Sequence, residues 1–207
     1  MAKDASNGSL YHPFNHARLL CSAIAILLIF AGITALVLYL IYRPARHHLT
    51  VLGAAIYHLS PAVSAAPTTA IATSMQFTVA IHNPNSRAAV QLDRLCSYVS
   101  YRDQPITPPA SLPSVYQEAD GTVIVSPVLG ADMVPVSAEV EAGLMKDEAY
   151  GVVQLRLVIT GRVKYRPGPF KSGWVGLYAK CDALVGVKKG TSGQVPLLGQ
   201  PECNVET

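Results

Sequence analysis

Four cysteines, six histidines and one Gly-Thr-Ser-Gly stretch are the residues from which this 207-residue chain could build chemistry. His47 and His48 are adjacent, and neighbouring side chains rarely converge on one metal; no cysteine or carboxylate stands near them at zinc spacing. They read as a juxtamembrane linker. Gly190-Thr191-Ser192-Gly193 lacks the spacing of a nucleophile elbow, and no phosphate-cradling glycine loop leads into Lys-Ser or Lys-Thr. Cys21 opens an apolar run, where reversible palmitoylation is the available chemistry and a small helix residue the plainer reading. Cys96 is expected to be unpaired and buried. Arg156, Arg162, Lys164 and Arg166 recur on alternate positions, as a ligand patch or, more simply, as the hydrated face of a strand. The stretch 105–113, "PITPPASLP", could offer a polyproline helix to a partner, but a rigid loop between strands explains it equally. No acid, base and nucleophile stand together, so an enzyme is not expected, nor a cofactor or a metal.

The elements that must position these residues begin with an uncharged run, 19–42, "LLCSAIAILLIFAGITALVLYLIY". At about 1.5 Å per residue it spans roughly 36 Å as a helix, enough for a hydrocarbon core of about 30 Å. A buried core helix would need a polar side to leave outside, and this run has none. It is also too long for a signal peptide and lacks a small-x-small cleavage site at its end. Tyr39 and Tyr42 would sit at headgroup level, and Arg18 and Arg43 bracket the span. Lys3 and Arg18 on one side balance Arg43 and Arg46 on the other, so charge alone gives no orientation. The single glycosylation sequon, Asn7-Gly8-Ser9, would be used only if the N-terminus were lumenal. Residues 1–18 read as a mobile tail. The remaining charge is nearly balanced within an overall +3 and unclustered, which argues against nucleic acid as a partner.

Beyond the span the pattern has a period of two. Met75, Phe77, Val79 and Ile81 share one face of "TSMQFTVAI". Val153, Leu155, Leu157, Ile159, Val163 and Tyr165 share one face of 152–166, with Val158 breaking the polar side. Such alternation predicts antiparallel strands with one buried and one wet side. Shorter strands are expected at 49–59, 94–101, 122–129, 174–181 and 202–206, with turn formers at 103–113 and 188–194. Val136, Val140 and Leu144 recur every four residues behind Ser137, a suitable N-cap, and predict one short helix. Seven or so short strands with turns between them suggest a two-sheet sandwich. Asn83-Pro84-Asn85-Ser86 is then the turn that ends one strand and starts another near Ala89. Pro84 fixes its own φ and pushes Asn83 towards extended angles, while Asn85 tolerates left-handed ones.

One short tail, one span, "FTVAIHNPNSR", "YRDQPITPP", a late "CDA" and a terminal "CNV" occur in order. Together they resemble the plant harpin-induced and non-race-specific-disease-resistance-like proteins, which carry a late-embryogenesis-abundant group 2 domain. Asn83, Pro84, Asn85 and Arg87 fall on that family's signature; Tyr101, Arg102, Asp103 and Gln104 fall on its second recurrent segment. The resemblance implies a single-pass plasma-membrane protein, N-terminus cytoplasmic, with an extracytoplasmic β-sandwich similar to fibronectin type III and immunoglobulin domains. It implies a non-enzymatic role in plant defence, including the hypersensitive response, and in stress. Its domains would be a tail at 1–18, the span at 19–42, a juxtamembrane segment with the first strand at 43–72, and the sandwich at 73–207. In an oxidising compartment Cys181 and Cys203 would pair, closing a loop of about 22 residues and adding roughly 3 kcal/mol. No apolar tail follows for lipid-anchor processing, and no Asn-Gly-Asp or Arg-Gly-Asp triplet for wall adhesion is present. Two functions follow. One is an interaction module for an unidentified protein or a second copy of itself; the alternative is a lipid-binding or membrane-tethering domain.

Overall fold

The computed structural model describes residues 13–42, 47–62, 69–168, 172–187, 192–199, 201 and 203–206. The tail up to residue 12, the Asn7 sequon, Arg43 and Arg46 lie outside them. Two compact units, 1–43 and 44–207, make up the chain. The first holds helix α1, Pro13–Tyr42. Its segment Arg18–Tyr39 has a mean hydropathy of 2.7 and no residue buried by protein, so it is long and apolar enough to cross a membrane. The hydroxyls of Ser22 and Thr34 donate to the carbonyls of Leu19 and Phe30, which hides two polar groups against the helix itself.

The described residues of the second unit form twelve strands and one helix. In chain order they are β1 His48–Ala62, β2 Ala70–His82, β3 Ala88–Tyr101, β4 Gln104–Pro105, β5 Ala110–Ser111, β6 Val115–Gln117, β7 Thr122–Val125 and β8 Val128–Pro135. Helix α2, Ala138–Tyr150, precedes β9 Val152–Pro167, β10 Val175–Gly186, β11 Gly193–Val195 and β12 Cys203–Glu206. Every described pairing is antiparallel. One sheet runs β11-β1-β2, with β7 and β8 sharing the far side of β2; the other runs β12-β10-β9-β3, with β4, β5 and β6 along the edge of β3. The two sheets form a sandwich. Seven or so short strands are therefore too few: β1, β2, β3 and β9 each run 13 to 16 residues. The end where β1 begins is called basal here, and the end carrying α2 apical.

The predicted faces meet in the middle. Met75, Phe77, Val79 and Ile81 of β2 are fully buried, as are Val153, Leu155, Leu157, Ile159 and Val163 of β9, with Tyr165 nearly so. Fully burying each such side chain stabilises by about 1.5–3 kcal/mol, which is why period-two sequences select this register. Val158, on the outer face, is buried as well. α2 forms as its sequence predicts. Ser137 accepts from Val140 N–H, Val140 and Leu144 pack inward, and Gly151 at φ 84° closes the last turn by donating to Asp147 and Glu148.

Other elements depart from expectation. Gly193 and Gln194, read as part of a turn, lie in β11 on the edge of β1. Leu197 then bridges to Val185 of the opposite sheet, Pro201 accepts from Val51 N–H, and β12 pairs with β10. The C-terminal stretch thus stitches one open side of the sandwich. The 105–113 loop is not free either. Ile106 N–H donates to Val99, Thr107 Oγ1 accepts from Val99 N–H, and Leu112 N–H donates to Leu95. His48 starts β1, and His47 is buried rather than part of a linker.

A bulge at Arg94, φ 51°, adds a residue to β3 opposite β9 and turns Leu95 into the core. Gly161 makes the room: a Cβ there would stand 2.7 Å from Leu95 Cδ2 and 3.3 Å from Asp93 O. Gly161→Val should therefore cost about 1–3 kcal/mol in urea unfolding. Pairing it with Leu95→Ala should cost less than the two single losses added together; strict additivity would show that Leu95 does not occupy this space.

Candidate functional site

The Asn-Pro-Asn segment carries the chain from one sheet to the other, so its backbone groups lack a ladder partner. The fully buried Asn83 amide takes that place. Its Nδ2 donates to Ala88 O and Glu118 O at 2.9 Å each, and its Oδ1 accepts from Asn85 N at 3.2 Å and Asn85 Nδ2 at 2.9 Å. Backbone bonds from Asn83 to Gly121 and from Asp120 to Asn85 tie in the loop before β7. Asn85 is not left-handed; among described non-glycine residues only Arg94, Arg102, Asp103 and Asp120 are. It works through its amide instead. Pro84 is half-buried, whereas Arg87 points outward with no described carboxylate paired to it.

The second segment is a clasp. Arg102 and Asp103, at φ 47° and 65°, make the tight turn from β3 to β4. Tyr101 Oη donates to Asp147 of α2 at 2.6 Å, and Arg102 lies over the Tyr101 ring, 3.9 Å from the same carboxylate. Gly143 on α2 leaves the space these two side chains occupy. Asp103 accepts from Arg156, which also holds Asp182 at 2.6 Å. Gln104 Oε1 accepts from both the hydroxyl and the backbone N–H of Ser137, locking the N-cap of α2. A cleft of about 260 Å³ remains among them. Burial first, then the hydrogen bond to Asp147, push the Tyr101 hydroxyl up to about 12, so it stays protonated. The cleft's two guanidinium groups are each held by its carboxylates, which suits a joint better than a catalyst.

The basic stripe of β9 is mostly spoken for. Besides Arg156, Arg162 pairs with Asp93 at 3.0 Å and Arg166 donates to Gln91 at 2.6 Å. Arg162 and Lys164 lie 5.1 and 5.4 Å from the exposed Trp174 ring, and Arg166 5.8 Å from Tyr116. Asp93, Asp147, Asp182 and Trp174 were not singled out from sequence; the only available signal was that their partners recur on one strand face. Cys181 and Cys203 stand opposite one another in β10 and β12, Cα atoms 4.1 Å apart, and are disulfide-bonded. Cys96 is half-buried, 4.0 Å from Ser111 Oγ, rather than enclosed; Cys21 is exposed on α1. Among the described residues no three His, Cys, Asp or Glu side chains group as metal ligands.

At the basal end His47 packs on Tyr165, its Nδ1 3.4 Å from the hydroxyl. Its Nε2 is buried without a described partner. Burial, then the neighbouring His48 and His82, bring its pKa from 6.5 down to about 4.

Comparison with known proteins places this geometry. A family profile described as late embryogenesis abundant protein matches residues 78–181, from β2 to the disulfide strand. The chain is 31% identical to NDR1/HIN1-like protein 1 of Arabidopsis thaliana over 163 residues, 79% of this chain and 77% of that one. It is 27% identical to NDR1/HIN1-like protein 12 of the same plant over 191 residues, 92% of this chain and 89% of the relative. NDR1/HIN1-like protein 26 is similarly 27% identical over 158 residues.

Two measurements check the site. Asn83→Ala should lower unfolding free energy by about 2–4 kcal/mol, since two carbonyls and the Asn85 donors lose their partner. Asn83→Asp should be no better, because it removes both donors; wild-type stability in that variant would show the donors are dispensable. For His47, the unfolded chain binds a proton below about pH 6.5 that the folded state refuses until about pH 4. Stability should fall as pH drops through that window, by roughly 3 kcal/mol in the limit. Thermal melts of His47→Gln should lose that part of the slope.

Proposed function

Since this chain belongs to the late embryogenesis abundant family of NDR1/HIN1-like proteins, we propose that it is a single-pass plasma-membrane protein whose sandwich lies outside the cytoplasm. There it acts as a non-enzymatic interaction module in plant defence and stress responses. The observation that carries this is the join of one apolar segment, Arg18–Tyr39, to a separately cored sandwich whose polar constellations are structural joints. The disulfide supports the orientation that loop charges leave undecided, because such bonds persist in oxidising compartments. The defence role rests on kinship, and Arg87, exposed beside the signature turn, is a side chain free to meet a protein partner.

A second reading has its own observation. A mostly apolar groove of about 590 Å³ runs between β1 and α2 at the apical end, lined by Ile56, Leu59, Pro61, Met145 and Val187 among others. That volume suits part of a lipid chain.

Carbonate extraction and an epitope at the C-terminus test the main reading. The protein should stay in the membrane pellet, and the epitope should be cleaved by protease on intact protoplasts. Release by carbonate, or an epitope reached only after permeabilisation, would overturn it. Lipid copurifying with a cytosol-facing sandwich would favour the groove.

A further inference from the structure

The anchor is joined to the sandwich at one particular place. His47, the last described residue before β1, packs against Tyr165 of β9. The neighbours of Tyr165 in that strand, Lys164 and Arg166, project to the outer face of the β9 sheet. Only residues 43–46 separate Tyr42 of α1 from His47. A chain of that length, fully extended, reaches at most about 18 Å. The chain that leaves α1 therefore enters the sandwich at its basal end, beside the strand that carries this outer face.

The composition of this face suits such a surface. Trp174 is 40% exposed and Tyr116 55%, and they flank Lys164 and Arg166 on opposite sides. Val175, next to Trp174, pairs with Val163, and Tyr116 and Lys164 both pair with Gln91, which puts the two rings at nearly one level across the sheet. Arg94 is exposed on the same face. Cations lying on aromatic rings, with the rings themselves open to solvent, form the combination that favours a headgroup layer, where ring and charge meet apolar carbon and phosphate together. Charge is arranged the other way at the apical end. Asp132, Glu139, Glu141, Asp147 and Glu148 gather on and before α2, with Lys146 as the helix's single cation. Arg102 stands among those apical carboxylates, and Glu118 and Asp120 are exposed at the basal end. The attraction to phosphate is therefore local to the outer face, where Lys164 and Arg166 pair with no described carboxylate.

We propose that the outer face around Lys164, Arg166, Tyr116 and Trp174 is a second membrane contact, which lays the sandwich against the phospholipid headgroups of the bilayer that α1 spans. This rests on the anchored reading above. The occupant is the phosphate-bearing surface of that same bilayer.

Trp174 is the chain's only tryptophan, so its fluorescence reports this face alone. Full-length protein is reconstituted into phosphatidylcholine vesicles with and without phosphatidylglycerol, and α1 insertion is verified in each sample by carbonate extraction. With phosphatidylglycerol present, Trp174 should be shielded from acrylamide and quenched by lipid brominated near the headgroup. Molar salt, which shortens the Debye length to about 3 Å, should restore its exposure. Lys164→Gln and Arg166→Gln should each shift the ratio of shielded to exposed Trp174 about fivefold towards exposure, as expected for a loss near 1 kcal/mol per surface charge. Far-UV circular dichroism and the thermal midpoint, unaffected by a merely lost surface contact, verify folding of the variants.

An inserted protein whose Trp174 is equally open to acrylamide in both vesicles overturns the proposal and leaves the anchor standing. Shielding that appears only on adding polygalacturonate overturns it in favour of an acidic polysaccharide. Release of the protein by carbonate sinks the anchored reading, and this contact with it.

Discussion

Two facing rows of apolar side chains, from β2 in one sheet and β9 in the other, are what the remaining structure has to serve. Their burial fixes the register of both long strands, because a slip by one residue would turn each row to water. Everything polar near them is then forced into particular arrangements. The chain must cross between sheets without a ladder, and the Asn83 amide fills the gap. Outward residues of β9 must sit beside β3 and β10, so their guanidinium groups find Asp93, Asp103 and Asp182. α2 must be held over the apical end, and Tyr101 and Gln104 hold it.

The two segments through which the sequence resembles the family are thus largely internal hardware. Of the eight side chains in them, Asn83, Asn85 and Tyr101 are buried, and Arg102, Asp103 and Gln104 are engaged within the domain. A sequence signature of this sort identifies the fold more directly than it identifies a ligand. Specific recognition would be expected on surfaces the signatures do not cover, which are also where relatives at 27–31% identity are free to differ.

Local signals were legible from residues alone. The alternation in β2 and β9 needs only neighbours two apart, the cap and turns of α2 only four, and the Asn-Pro-Asn turn only its own backbone chemistry. What could not be read is whatever depends on which strands lie side by side. Arg162 and Asp93 are 69 positions apart, and Arg156 and Asp182 are 26 apart, so the basic stripe looked solvated or ligand-binding rather than paired. The Arg94 bulge hides because an extra residue breaks no pattern until its partner Gly161 is known. β11 was lost among turn formers, since three residues on the edge of β1 carry no period of their own.

That last strand bears on how the molecule comes into being. β1 leaves the ribosome soon after α1, yet its outer neighbour β11 and the stitch through Leu197 and Pro201 are made from residues far later in the chain. Until those residues emerge, the sandwich has one side unfastened, with strand edges and apolar rows available to wrong neighbours. Closure joins residues from opposite ends of the domain, an arrangement that slows folding because ring closure precedes any reward from the contacts it brings. Cys203 reaches Cys181 only at that stage, so oxidation of the pair would mark, in a pulse-chase, the moment at which the newborn domain is sealed.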